Sequence, residues 1–252
     1  MVGCAFFARI FDVTLLSHGM ISLGLTVWII YTVDHLVDAR KSKGTPATER
    51  HRFHQRHSIS LAAALIIAGA LLALEALFIR KPVLYAGLAV AVMVVIYLLL
   101  QASLRFLKEI AGAVLYASGV VAAPWSLMER ALSATEWGIV TLFALTALIN
   151  LLLFSLFDRK TDLSDNHYSF ATTFGVTATR SLIAFLLLTI VALAIALMVK
   201  SPDYQRDMIT LLLMNSVLLT ILIFPGYFAL NDRFRRVGDS VFLIPLVYLL
   251  MH

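Results

Sequence analysis

Seven stretches of this sequence carry at most one charged residue over the length of a membrane-crossing helix: residues 15–36, 59–79, 83–100, 110–128, 137–157, 181–199 and 208–230. A bilayer core about 30 Å thick needs roughly 20 apolar residues in helical form. Inside lipid every backbone N–H and C=O must find its partner within the structure, and runs this long and uniform do so only as helices. An eighth run, residues 241–251, suffices for a partial or terminal span, and residues 1–11 are apolar but too few to cross. The expected fold is therefore an all-α, polytopic transmembrane helix bundle of about eight helices. Composition agrees: 61% of residues are hydrophobic and 14% charged, against about 45–50% and about 25% in soluble domains. No internal repeat, low-complexity stretch or linker stands out, so the chain reads as one domain over residues 1–252.

The net charge is +5. The bases lie in short segments between apolar runs, where they orient helices and meet anionic lipid. No RNA-binding signature is present, and nucleic acid is not an expected partner; the lipid bilayer is. One set of alternate connections holds Arg40, Lys41, Lys43, Arg50, Arg52, Arg56, Arg105, Lys108, Arg159, Lys160, Arg180, Arg233, Arg235 and Arg236. The other holds Arg80, Lys81, Arg130, Lys200 and Arg206. Positive-inside bias puts the first set in the cytoplasm. The expected location is a multi-pass integral membrane protein, in the inner membrane if the cell is bacterial. Cys4, the single cysteine, excludes an internal disulfide, a CxxC pair and a thiolate metal cage. The opening MVGCAFFARIF lacks a basic start, so a removable signal peptide is not expected.

The expected cytoplasmic side also collects the unusual acids. Asp34 and Asp38 close the first run, and Asp158 and Asp162 close the fifth. A spacing of four puts both carboxylates of a pair on one helix face, where like charges repel. Acids at membrane depth are rare unless functional. One such pair alone reads as helix-end charge balanced by neighbouring bases. Two pairs on one side, each followed by Arg and Lys, favour a shared divalent-cation site. Oxygen-only ligands suit Mg²⁺, which keeps waters and takes one or two carboxylates together with phosphates. The bases beside each pair, Arg40 and Lys41 among them, would neutralise a polyphosphate. Tyr31 lies one turn before Asp34, while Asn150 and Phe154 precede Asp158 at repeats of four. These three are the expected lining of the cavity beside the acids.

These residues resemble the UbiA superfamily of intramembrane prenyltransferases, a nine-helix bundle with two Asp-rich motifs, NDxxDxxxD and DxxxD, at cytoplasmic helix ends. Asp34 and Asp38 match the last two acids of the first motif; Asp158 and Asp162 match the second. The segment SFATTFG at residues 169–175, followed by Arg180, is similar to the family segment leading into its next helix. Arg105 and Lys108 fall where the family places basic diphosphate ligands. The similarity runs from about Leu15 to the C-terminus, but Ile30-Tyr31 stands where the family has Asn-Asp, which bears on how many metal ions are held. The resemblance implies Mg²⁺-dependent transfer of a prenyl group from a prenyl diphosphate to a lipophilic acceptor, aromatic or quinone-type. It implies Asp34, Asp38, Asp158 and Asp162 as catalytic metal-binding residues, and Arg40, Lys41, Arg105 and Lys108 as diphosphate-binding. Two other readings stay open: an isoprenoid cyclase on the same scaffold, and a non-catalytic UbiA-like membrane protein. The departure at Ile30-Tyr31 favours either.

The helix count is one short of the family's. Residues 1–11 look like the tail of its first helix, which implies a coding sequence starting upstream. They are expected to be helical, at the outer face, packed on the bundle and covering part of the cavity wall. The basic connection holds His51, His54 and His57 at spacings of three. It reads as a headgroup-facing segment, a diphosphate lid or a transition-metal site. His35 and His167 flank the acid pairs as hydrogen-bonding residues.

Overall fold

The computed structural model describes residues 1–41, 53, 56–165 and 167–250, with the side chains of residues 34–35, 37–41 and 102 outside that set. Among the described residues eleven α-helices follow in order: α1 (Val2–Ile10), α2 (Ser17–Lys41), α3 (Ser58–Glu75), α4 (Lys81–Leu104), α5 (Lys108–Ser126), α6 (Ala134–Ser164), α7 (Phe170–Lys200), α8 (Gln205–Ile223), α9 (Pro225–Ala229), α10 (Arg233–Ser240) and α11 (Pro245–Leu250). Short 3₁₀ turns join several of them, and no strand occurs among the described residues. Among the described residues six helices, α3 to α8, are long and apolar enough to cross a membrane, and α2 adds an apolar stretch over Ser17–Val33. The protein is an all-α, multi-pass membrane protein.

Two compact units divide the chain: Leu15–Tyr85 with Met1, and Val2–Thr14 with Ala86–His252. In the first, α2 packs on α3. His18 Nδ1 lies 2.7 Å from Glu75 Oε2, and its ring stacks on Phe78 at 5.1 Å.

The second unit is built around α6. Its buried residues Ile139, Leu142, Phe143, Thr146, Ala147, Ile149, Asn150, Leu152 and Leu153 recur every three or four positions and wrap most of the helix, which packs against α5, α7, α8 and α10. Phe143 meets Phe7 edge-on at 5.3 Å and Phe242 at 5.8 Å. A polar crossing at mid-helix is fully used on its donor side: Asn215 Nδ2 donates to Thr146 Oγ1 and to the Leu211 carbonyl, both at 2.8 Å. Between helices in lipid such a bond favours one register over its neighbours.

The N-terminal residues are helical, as their pattern predicts. Phe6 and Phe7 of α1 are wholly buried, and α1 packs on α5 and α11. Other boundaries depart from the apolar runs. The fifth and sixth runs lie within helices of 31 residues each, so Asp158 and Asp162 stand inside α6, and Arg180, expected in a connection, stands inside α7. Ser133 and Ser169 begin these two helices with capping boxes, which hold the polar first turns helical beyond the apolar stretch. The seventh run breaks at Phe224, because Pro225 disfavours helical backbone in the residue before it. The eighth run divides into a 3₁₀ turn, Val241–Leu243, and the short α11.

Candidate functional site

One stripe of α6 carries Asn150, Phe154, Asp158 and Asp162, and it serves two different neighbours. The first three residues face α10. Gly238 lets that helix approach so closely that a Cβ there would overlap Asn150 Oδ1 and lie 2.8 Å from the Phe154 ring. Phe234 of α10 stacks on Phe157 at 4.5 Å and meets Phe154 edge-on at 5.8 Å. Arg235 lies 5.2 Å above the Phe154 ring and donates to Asp158 Oδ2 at 2.5 Å. Asn150 and Phe154 thus belong to the α6–α10 seam, and neither lines the cavity that follows.

Asp162, one turn on, lines a cavity of about 290 Å³ shared with the α4–α5 junction and the start of α7. Across it stands Arg105, in the 3₁₀ turn Arg105–Leu107. Arg105 has a φ of +47°, a left-handed conformation that is costly for a residue with a Cβ. Such strain persists only where the surroundings impose it. Its guanidinium lies 5.1 Å over the Tyr168 ring, a cation–π contact at the cavity edge. His167, Thr172 and Thr173 complete the polar lining, and Phe106 supplies an apolar wall. Lys108 begins α5 and is not among the lining residues; its carbonyl accepts from Tyr97 Oη at 3.4 Å.

The start of α7 is held by ties from three directions. Ser169 and Thr172 cap each other, Phe170 N–H donates to Glu109 Oε1 at 3.1 Å, and Ala171 N–H donates to Ser155 Oγ at 2.9 Å. Arg159 Nε donates to the Ala171 carbonyl at 3.1 Å. Thr173 N–H already bonds to the Ser169 carbonyl. Each amide that a helix start normally leaves open is therefore taken. An anion in the cavity would meet side chains, Arg105 and His167, rather than the helix terminus. One turn later Gly175 adopts φ +84°, which a residue without a Cβ tolerates, and separates Phe170–Phe174 from the rest of α7.

Sequence reasoning missed Glu109 and Arg235. Glu109 is buried in the first turn of α5, and its Oε2 has no partner among the described residues. Its only signal was an acid at a helix start, which also describes many solvated residues. Tyr31 is exposed on α2 in the first unit. Asp34, Asp38, Arg40 and Lys41 occupy α2, and their side chains lie outside the described residues, as do His51 and His54 altogether.

Among the described residues no three His, Cys, Asp or Glu side chains gather as a metal cluster. Asp162 still offers hard oxygen donors opposite a guanidinium, a donor set that fits Mg²⁺ carrying phosphate oxygens, since that ion takes few protein ligands. Fold and cavity together define a class: a multi-pass helical membrane protein with a small, half-open cavity of mixed lining at one end of its central helix. Comparison with protein-family models, curated proteins and solved structures returns no match.

Proposed function

We propose that this protein is a Mg²⁺-dependent intramembrane prenyltransferase, moving a prenyl group from a prenyl diphosphate to a lipophilic acceptor of aromatic or quinone type. The observation that carries the reading is the cavity, whose lining includes both a carboxylate, Asp162, and an arginine, Arg105, held in a strained backbone conformation. A carboxylate suits a metal ion, and a guanidinium suits phosphate oxygens. Mg²⁺, when bound, would supply charge stabilisation to the departing diphosphate. Asp162 would hold that ion, and Arg105 would orient the diphosphate. The allylic C–O bond breaks, its electron pair leaves on the diphosphate, and an acceptor carbon closes on the cation and then loses a proton. Phe106 and the apolar helices would keep water from the cation. The prenyl donor, the acceptor and the cytoplasmic orientation all belong to this proposal.

Asp158 takes a different part, since Arg235 already neutralises it. That pair favours a role in holding α10 in place beside the site. The test is release of diphosphate from labelled prenyl diphosphates by the purified protein, with and without Mg²⁺. Release should require Mg²⁺ and acceptor, and D162N should lower it by about a hundredfold while the protein still inserts, since a metal-held charge is worth several kcal/mol. Release without acceptor would identify a cyclase. No release under any condition would identify a non-catalytic protein.

A further inference from the structure

We propose that Glu109 is a positioning residue that sets the width of the Arg105–Asp162 cavity by tying its two walls together; the ligand readout below rests on the functional reading above, and the distance readout does not. The start of α7 has its own cap in Ser169 and Thr172, so Glu109 is not needed to begin that helix. It comes from a different helix, 61 residues away in sequence, and spends Oε1 on the first amide of α7. Its own turn of α5 follows directly on Arg105, one wall of the cavity. The segment it holds carries Tyr168, Thr172 and Thr173, the opposite wall.

Gly175 makes this tie consequential. Because the backbone leaves helical geometry there, the long body of α7 does not dictate where Phe170–Phe174 lies. Local bonds do. Ser155 and Arg159 fix the segment to α6, and Glu109 supplies its hydrogen bond to the Arg105 side. The ring contacts Arg105–Tyr168 and Phe106–Phe174 lie along the same seam but are weakly directional. The bond from the Phe170 amide to the Glu109 carboxyl oxygen is, by contrast, directional. The cap serves the Ser169 and Thr172 amides and Glu109 takes the Phe170 amide, so its bond fills an open donor at the start of α7 and ties that start to α5.

The experiment compares E109A and E109Q in the full-length protein in lipid nanodiscs. Spin labels on cysteines introduced at Leu107 and Thr173, both exposed, report the distance between the walls without any ligand. Glutamine keeps an acceptor for Phe170 N–H, so E109Q should keep the wild-type distance and E109A should lengthen and broaden it. In unlabelled protein, Mg²⁺-pyrophosphate should bind roughly tenfold more weakly to E109A, a loss of about 1.4 kcal/mol, and within about twofold of wild type to E109Q. Should E109A fail to insert, E109M removes the acceptor while keeping the volume. An unchanged distance in E109A or E109M, or an E109Q as wide as either, would overturn the proposal. A wild-type protein that binds no Mg²⁺-pyrophosphate would overturn the functional reading alone, leaving the distance to decide on Glu109.

Discussion

Gly238 shows how much one missing methyl can control at the residue scale. It lies under Asn150 and Phe154, and those two residues support the ring and guanidinium stack that brings Arg235 to Asp158. G238A places a methyl group where Asn150 Oδ1 sits, and a buried amide packed this way has little room to yield. Overpacking of a close helix contact costs about 1–3 kcal/mol. We expect thermal unfolding in detergent to shift downward accordingly. Adding N150S, which shortens the obstructing side chain, should restore more than half of the loss. A G238A protein as stable as wild type would show that α10 rides on α6 loosely. Glutamate and arginine at such positions read identically in sequence whether they face water or a partner. Arg235 and Asp158 are 77 residues apart, and only the fold reveals that they pair.

At the scale of elements, the central helix depends on both its ends. Its N-terminus begins with Ser133, whose hydroxyl accepts from Glu136 N–H while Glu136 Oε2 accepts from Ser133 N–H at 2.7 Å. Glu136 is wholly buried and takes two further bonds from Arg130, at 2.6 and 2.8 Å. The partners are unequal, because Arg130 is half exposed. Removing the arginine strands a buried carboxylate, while neutralising the glutamate leaves a guanidinium that water can solvate. R130A should therefore lower the melting temperature more than E136Q does, and R130A/E136Q should be more stable than R130A alone. Equal losses in the two single variants would contradict that order. The helices themselves were legible as apolar runs because lipid demands them. Their extents were less so: capping boxes carry α6 and α7 past the apolar residues, and the Gly175 break looks in sequence like any helical glycine. Of the expected site, Asp162 and Arg105 do share a cavity, since both close long helices at one end of the unit. Asn150 and Phe154 follow the same periodicity but serve a seam, because a face on α6 does not announce which neighbour will cover it.

For the whole molecule, the two acid pairs fall in different units, Asp34 and Asp38 in Leu15–Tyr85, Asp158 and Asp162 in Ala86–His252. The side of the membrane that each end faces is open to direct test. Lys and Arg concentrate before α3, around the α4–α5 junction, in the last turns of α6 and in α10, and on a positive-inside bias those ends would face the cytoplasm. The chain's own thiol makes a silent background. Cys4 is buried, and burial pushes its pKa up to about 11, so the thiolate that maleimides attack appears only as pH rises toward that value and is nearly absent at neutral pH. Single reporters can then be read cleanly: S164C at the exposed end of α6, and E129C in the exposed connection before it. In sealed right-side-out vesicles at neutral pH, a membrane-impermeant maleimide should label E129C and spare S164C. Inverted vesicles should give the reverse. The opposite pattern would place the Arg105–Asp162 cavity on the outer side, away from any cytoplasmic supply of diphosphate esters, and the prenyl-transfer reading would fall with it.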